Sequence, residues 1–384
     1  MLHRELTHEQ LALQAELRAY FAAMLTPEVR AELGGEGDNP ELWRQLVRRM
    51  GADRWLGLGW PVEYGGRGSS AFEQLLLFTE VQRAGAPFPF VTVNTVGPTL
   101  MRYGSQQQKD DFLPRILAGQ CVFAIGYTEP GSGTDLASLR TRAVRQGDEW
   151  VVDGSKVFTS GAGHSDYIWL AVRTDPDAPK HQGISMLIVP TDSAGFSWTP
   201  LYTVGGNTTT TTFYDGVRVP AGALVGELNM GWRLLTAQLN HERVGLAAFS
   251  GRTEALWEGV RDWCVDQGLA SEPWVQQDLA RTWAQVEAMR LLNWQLAGSV
   301  EDDTVSVADA AAAKVFGTEM HASVCRTLFG ILGAAGARRG QGPLDGRVEV
   351  LTRGAIVNTF GGGVNEVLRD LICTNGLGMP RGTR

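Results

Sequence analysis

Apolar residues follow three successive rhythms along the chain. Up to about residue 118 they fall at helical spacing: behind Thr7 and Gln10, which form a capping box, Leu13, Leu17, Tyr20, Phe21 and Met24 share one face. Asp38-Asn39-Pro40-Glu41 signals another helix start, a capping side chain followed by proline in the first turn. Phe72–Arg83, Thr95–Tyr103 and Gln106–Leu117 read as further helices around a glycine-rich loop, Trp60–Gly68. From Cys121 the rhythm becomes β-rich. Trp150–Val152, Val157–Thr159, Tyr167–Val172, Ile184–Val189 and Phe196–Trp198 are short runs separated by Gly, Pro, Asp and Asn. The five threonines Thr208–Thr212 favour a strand because they are β-branched, with a low-complexity loop as the competing reading. Beyond Gly231 helical spacing returns, and Asp278–Ala297 and Asp309–Leu332 are each long enough for a bundle helix. The predicted class is therefore α+β: a helical domain over 1–119, a β domain over 120–227 and a helical domain over 228–384.

Composition narrows the function. The 384 residues carry a net charge of −8 with both signs interspersed, which argues against nucleic acid, whose phosphates need a basic stripe. Cys121, Cys264, Cys325 and Cys373 form no CxxC pair and no metal-ligand spacing, so no metal site is expected and a reduced, cytoplasmic setting is the simplest one. The N-terminus lacks the apolar segment of a secretion signal, and no run of 18 apolar residues suits a membrane span.

One stretch stands out chemically. After the apolar run Val122–Ile125 comes Tyr127-Thr128-Glu129-Pro130-Gly131-Ser132-Gly133-Thr134-Asp135, two glycines set among hydroxyl residues. Such a loop brings backbone close to a ligand while Thr128 and Thr134 add side-chain donors. The string resembles the T-E-P-x-x-G-[ST]-D signature of the acyl-CoA dehydrogenases. Gly57–Gly68, Tyr103–Lys109, Asp153–Gly161, Asp215–Pro220 and Gly362–Arg369 resemble other segments of that family in the same order, across nearly the whole chain. The resemblance implies an N-terminal helical domain, a central β-barrel and a C-terminal four-helix bundle, with FAD between domains and across a subunit contact.

On that resemblance Tyr127, Thr128, Gly133 and Thr134 belong to the FAD cradle, with Thr134 also near the substrate. Phe158 takes the place beside the flavin ring where many members have Trp. Thr159, Ser160, Asn365 and Glu366 supply nearby polar contacts. Taken alone, without the flanking Lys156 and Ser160-Gly161, Phe158 reads rather as a core strand residue. The implied reaction is α,β-dehydrogenation of an acyl-CoA, in which a carboxylate removes the α-proton and a hydride leaves the β-carbon. Many members carry that base in a C-terminal Y-E-G-T segment, but here Gly362 stands in its place. A minority carry it in a helical E-R pair, matched by Glu242-Arg243, which makes Glu242 the expected base, while Arg243 and Gly362 fall near the substrate. In isolation that pair would be an ordinary surface ion pair.

Two segments depart from the family. The R-x-x-F-G segment, whose arginine reaches a neighbouring subunit's FAD, corresponds to Trp263–Pro273, with neither arginine nor Phe-Gly; Q-x-x-G-G-x-G appears as Gly330–Gly336 without its glutamine. The expectation is a second, non-identical subunit supplying those groups. This resembles the catalytic chain of the actinobacterial heterotetrameric steroid acyl-CoA dehydrogenases and implies a CoA thioester of a sterol side chain, with electron-transfer flavoprotein as acceptor. A non-catalytic partner subunit and an oxygen-using oxidase on the same fold remain the alternatives.

Overall fold

A computed structural model describes residues 5–33, 39–206, 208–236, 249–338 and 343–380. The N-terminal helices are α1 (His8–Met24), α2 (Pro27–Leu33), α3 (Pro40–Ala52), α4 (Ala71–Ala84), α5 (Gly97–Tyr103) and α6 (Gln106–Leu117). Thr7 and Gln10 close the expected capping box on α1, Asn39 caps α3 with Pro40 in its first turn, and Ser70/Glu73 and Ser105/Gln108 form two further boxes. The stretch before α5 is not plain α-helix. Thr92–Val96 is a π turn, and the Thr95 hydroxyl inside it is buried without a partner, whereas Thr99 one turn later reaches back to the Thr95 carbonyl at 2.7 Å. Widening the helix by one residue moves the carbonyl that would have served Thr95.

The middle of the chain forms one eight-stranded sheet of β1 (Phe123–Gly126), β2 (Arg142–Gln146), β3 (Glu149–Val157), β4 (Tyr167–Arg173), β5 (Ile184–Pro190), β6 (Phe196–Tyr202), β7 (Thr208–Pro220) and β8 (Leu224–Val225). The order is β6-β7-β3-β2-β4-β5-β8, with β1 parallel to β4. Both β1 and the start of β2 use the same edge of β4, at Tyr167–Leu170 and Arg173 respectively. The threonine run is strand: Thr208–Thr212 pairs with Tyr202–Trp198 of β6 and opens a 13-residue β7 that runs on through Val217–Pro220. Val157 ends β3, so the anticipated strand over Val157–Thr159 stops one residue in. The expected barrel is an open one, because β6 and β8 end the pairing order.

Period-2 alternation divides the sheet between two cores. Trp150, Val152, Ile168, Leu170, Val172, Leu187, Val189, Tyr214 and Val217 share the cluster that the sheet curls around. Phe123, Trp169, Ala171, Ile184, Met186 and Ile188 point the other way, into the core of the N-terminal helices. Arg44 of α3 reinforces the junction, reaching Asp166 at 3.0 Å and the His164 carbonyl at 2.6 Å.

The C-terminal region is helical: α7 (Phe249–Asp266), α8 (Pro273–Glu301), α9 (Val307–Leu332), α10 (Arg347–Gly354) and α11 (Asn365–Leu371). Its core contains Val260, Cys264, Val275, Val286, Met289, Val324, Cys325 and Leu328. Gly251 lets α7 close onto the Thr79 carbonyl of α4, and Arg83 of α4 pairs with Glu258 at 2.6 Å and Glu254 at 3.1 Å on α7. Among the described residues no helix is long and apolar enough to cross a membrane, and no group of three His, Cys, Asp or Glu side chains suits a metal.

Candidate active site

The Tyr127–Asp135 loop leaves β1 at Gly126 and is pinned from below by a buried charge. Lys156 sits on β3 in the same alternation as Trp150 and Val152, so its side chain points inward and is fully buried. Its ammonium donates to the Tyr127 carbonyl at 3.0 Å and to Glu129 Oε1 at 2.8 Å. Glu129 also accepts the backbone N–H groups of Arg140 and Thr141, both at 2.7 Å. Burial works to raise the Glu129 carboxyl, but Lys156 and the two backbone donors outweigh it and hold it below the usual range. Burial pulls Lys156 down to about 8, against the pull of Glu129. The loop is closed further by reciprocal Glu129–Ser132 backbone bonds, by Ser132 Oγ donating to the Asp135 carbonyl at 2.8 Å, and by an exposed Lys180–Asp135 pair at 2.9 Å.

What the loop presents outward is open. A Cβ on Gly131 would meet nothing within 4 Å, and one on Gly133 only the Thr128 methyl at 3.9 Å; Thr134 is exposed. Beside it the Val157 N–H donates to the Thr128 carbonyl at 2.8 Å, and the next residue, Phe158, adopts φ +60° with its side chain 62% exposed. An aromatic residue held left-handed costs about 1–2 kcal/mol and turns its ring out of the strand. Phe158 is therefore not a core strand residue.

The hydroxyls after it divide. Ser160 is exposed and pairs with Thr209 Oγ1 at 2.9 Å. Thr159, expected to contact a cofactor, is fully buried: its hydroxyl meets Thr212 at 3.3 Å and its N–H bonds the Thr210 carbonyl. Tyr127 likewise packs into the N-terminal core, leaving its carbonyl for Lys156. Both side chains are thus buried beneath the loop's open face.

A second loop, Gly361-Gly362-Gly363-Val364, precedes α11. Gly362 has φ +67° and Gly363 φ +107°, conformations that disfavour any side chain. Lys314 of α9, 2% exposed, donates to the Gly363 carbonyl at 2.6 Å and to Asn365 Oδ1 at 2.8 Å. Asn365 in turn donates to Thr318 and Glu319, both at 3.1 Å, and Arg369 closes on Glu319 at 2.7 Å. Asn365, expected at a cofactor, is buried and bonded to Lys314, Thr318 and Glu319, whereas Glu366 is exposed. Glu242 and Arg243 lie outside the described residues.

The two regions touch where the β6–β7 loop meets α10. Arg353, paired with Glu349 at 2.8 Å, donates to the Val204 carbonyl, and Gly205 lies against Gly354. The two buried lysines escaped the sequence reading, although each leaves a trace: Lys156 keeps the inward parity of Val152, and Lys314 interrupts the apolar run Ala310–Val315.

Comparison with known proteins accounts for the whole chain. Residues 7–120, 124–217 and 229–377 match the models of the acyl-CoA dehydrogenase N-terminal, middle and C-terminal domains. The chain belongs to the acyl-CoA dehydrogenase family. It is 50% identical to the acyl-CoA dehydrogenase FadE26 of Mycobacterium tuberculosis, over 98% of this chain and 99% of that one. Its fold matches the solved steroid acyl-CoA dehydrogenase Tcur3481–Tcur3483 at 61% identity with a TM-score of 0.95, covering 100% of both chains. The ChsE4–ChsE5 complex from Mycobacterium tuberculosis matches at 49% identity and a TM-score of 0.92, over 99% of this chain and 100% of that one. The acyl-CoA dehydrogenase identity carries with it an enzymatic activity and a family that works with flavin.

Proposed function

We propose that this chain is the catalytic subunit of a heterotetrameric acyl-CoA dehydrogenase that binds FAD and converts a steroid side-chain acyl-CoA to its trans-2-enoyl-CoA. The observation that carries the reading is Phe158: an exposed aromatic ring, held at a left-handed dihedral, beside a glycine loop whose outer face is open. A planar cofactor edge fits that arrangement, with the ring covering its face and Thr128, Gly133, Thr134 and Ser160 offering short polar contacts. Tyr127, Thr159 and Asn365 hold these groups in place. When bound, FAD supplies the acceptor for the hydride that leaves the substrate β-carbon.

Glu242 takes the α-proton. As the C–H bonds at Cα and Cβ break, the electron pair left at Cα forms the double bond. A thioester α-proton is a very weak acid, so the base must be desolvated and aimed, and the developing enolate oxygen needs a fixed donor. Gly362 replaces the family's usual acid and leaves a backbone N–H for that oxygen. We assign Arg243 to CoA binding and Glu366 to a peripheral contact near the cofactor. The partner subunit supplies the charge missing from Trp263–Pro273 and the glutamine missing from Gly330–Gly336; names of relatives as paired chains support this. The steroid acyl group rests on the same relatives, and electron-transfer flavoprotein is the proposed acceptor. We divide the chain into 1–119, 120–227 and 228–384 and place it in the cytoplasm. Replacing Glu242 by Gln should abolish dehydrogenation of steroid-CoA thioesters, assayed with an artificial electron acceptor, while bound flavin absorbance is retained. Wild-type turnover in that variant would reject the assignment of the base.

A further inference from the structure

Three consecutive glycines lose more conformational freedom on ordering than any other tripeptide, so a loop of this kind needs an external clamp to hold one shape. The clamp here begins at one side chain. Lys314 crosses from α9 with its ammonium buried, bonds the carbonyl of the second left-handed glycine, Gly363, at 2.6 Å, and bonds Asn365 just beyond the loop at 2.8 Å. Asn365 is locked from its other side by Thr318 and Glu319, and Glu319 by Arg369. The far end of the loop is held through Gly361, whose N–H bonds the Val357 carbonyl at 3.0 Å. Gly362 lies between the two anchors.

We propose that Lys314 is a positioning residue for dehydrogenation, fixing the Gly362–Gly363 backbone so that the Gly362 N–H meets the enolate oxygen of the acyl thioester. The inference rests on the reading above that this loop donates to the thioester. A charged donor on the Gly363 carbonyl fixes its peptide plane more firmly than a neutral one, and a fixed donor at a developing oxyanion acts on the transition state more than on the bound substrate.

The test uses the full-length chain with the partner subunit that co-purifies with it. Lys314→Met should lower kcat about 100-fold and change KM by less than about threefold, and Lys314→Gln, which keeps a shorter donor, should fall between it and wild type. A second measurement reads the oxyanion directly. A 3-thiaacyl-CoA ionises at Cα in a site that stabilises an enolate, giving a long-wavelength band against the flavin. That band should shrink in both variants at unchanged flavin content. Thermal melts identify the folded variants, and Lys314→Gln keeps the test alive where the Met variant does not fold. A folded variant with wild-type kcat and an undiminished band overturns the role of Lys314. A wild-type complex that oxidises no acyl-CoA rejects the functional reading instead.

Discussion

Two loops in this chain are each held by a buried lysine, and the two lysines are not held alike. Lys156, beneath Tyr127–Asp135, meets a carboxylate that is itself bonded by two backbone N–H groups. Lys314, beneath Gly361–Val364, donates to the Gly363 carbonyl and to the amide oxygen of Asn365, which in turn donates to Glu319. Strain is divided differently too. The first loop adjoins a left-handed phenylalanine, the second consists of glycines for which the same region costs little. The first arrangement makes a stiff wall that turns an aromatic ring outward. The second makes a backbone hook of glycines anchored at one end through Lys314 and Asn365 and at the other through Gly361.

Breaking the first lysine should have the largest effect on stability. Lys156→Met strands the Glu129 carboxylate in the interior and should cost about 3–5 kcal/mol in urea unfolding. Adding Glu129→Gln should recover part of that loss, because the stranded charge is gone and an acceptor remains for the Arg140 and Thr141 N–H groups. A double variant no better than the single one would mean that the ion pair is not what holds the loop.

How much of this was legible in advance depends on which atoms carry the information. Element order and the caps at Thr7 and Asn39 could be read directly, since each acts within one turn of itself. The Tyr127–Asp135 loop was legible as a string but not as a shape. Thr159 and Ser160 are adjacent in sequence and chemically alike, and both meet threonines of β7, yet Thr159 is buried and Ser160 is exposed. The bonds of Asn365 to Lys314 and Thr318 could not be read from the string, because those partners lie 51 and 47 residues away. β2, with three charged or amide residues in five, gave no apolar run to find.

Acid sharpens the comparison from the helical side. His321 of α9 is buried, shares a hydrogen bond of 2.7 Å with Thr253, and is pulled to about 4 by burial and by Arg252. The folded value lies below the unfolded one, so the stability it contributes is complete above about pH 6.5. It is lost as pH falls toward 4, amounting to roughly 3 kcal/mol. The Glu129 carboxyl is depressed below its ordinary 4.5, so its contribution is lost only at lower pH still. Urea midpoints between pH 7 and 4 should therefore fall in wild type and flatten in His321→Gln. An equal fall in both would remove His321 from the account.

The smallest effects test strain. Phe158→Gly should stabilise the apoprotein by up to about 1 kcal/mol by relieving φ +60° while weakening flavin retention, and Gly362→Ala should destabilise it by about the same amount. Calorimetry of both variants reads the two signs, and like signs would contradict the division of strain between the loops.

The two-faced burial of β4 has a consequence for how the molecule comes apart. Ile168, Leu170 and Val172 belong to one core and Trp169 and Ala171 to another, so neither core can be dissolved while the strand stays whole. The boundary between the helical and β segments is a line in the sequence, not a seam in the free energy. Amides of β4 should exchange with solvent only through an opening that takes the N-terminal helices and the sheet together, as one cooperative unit.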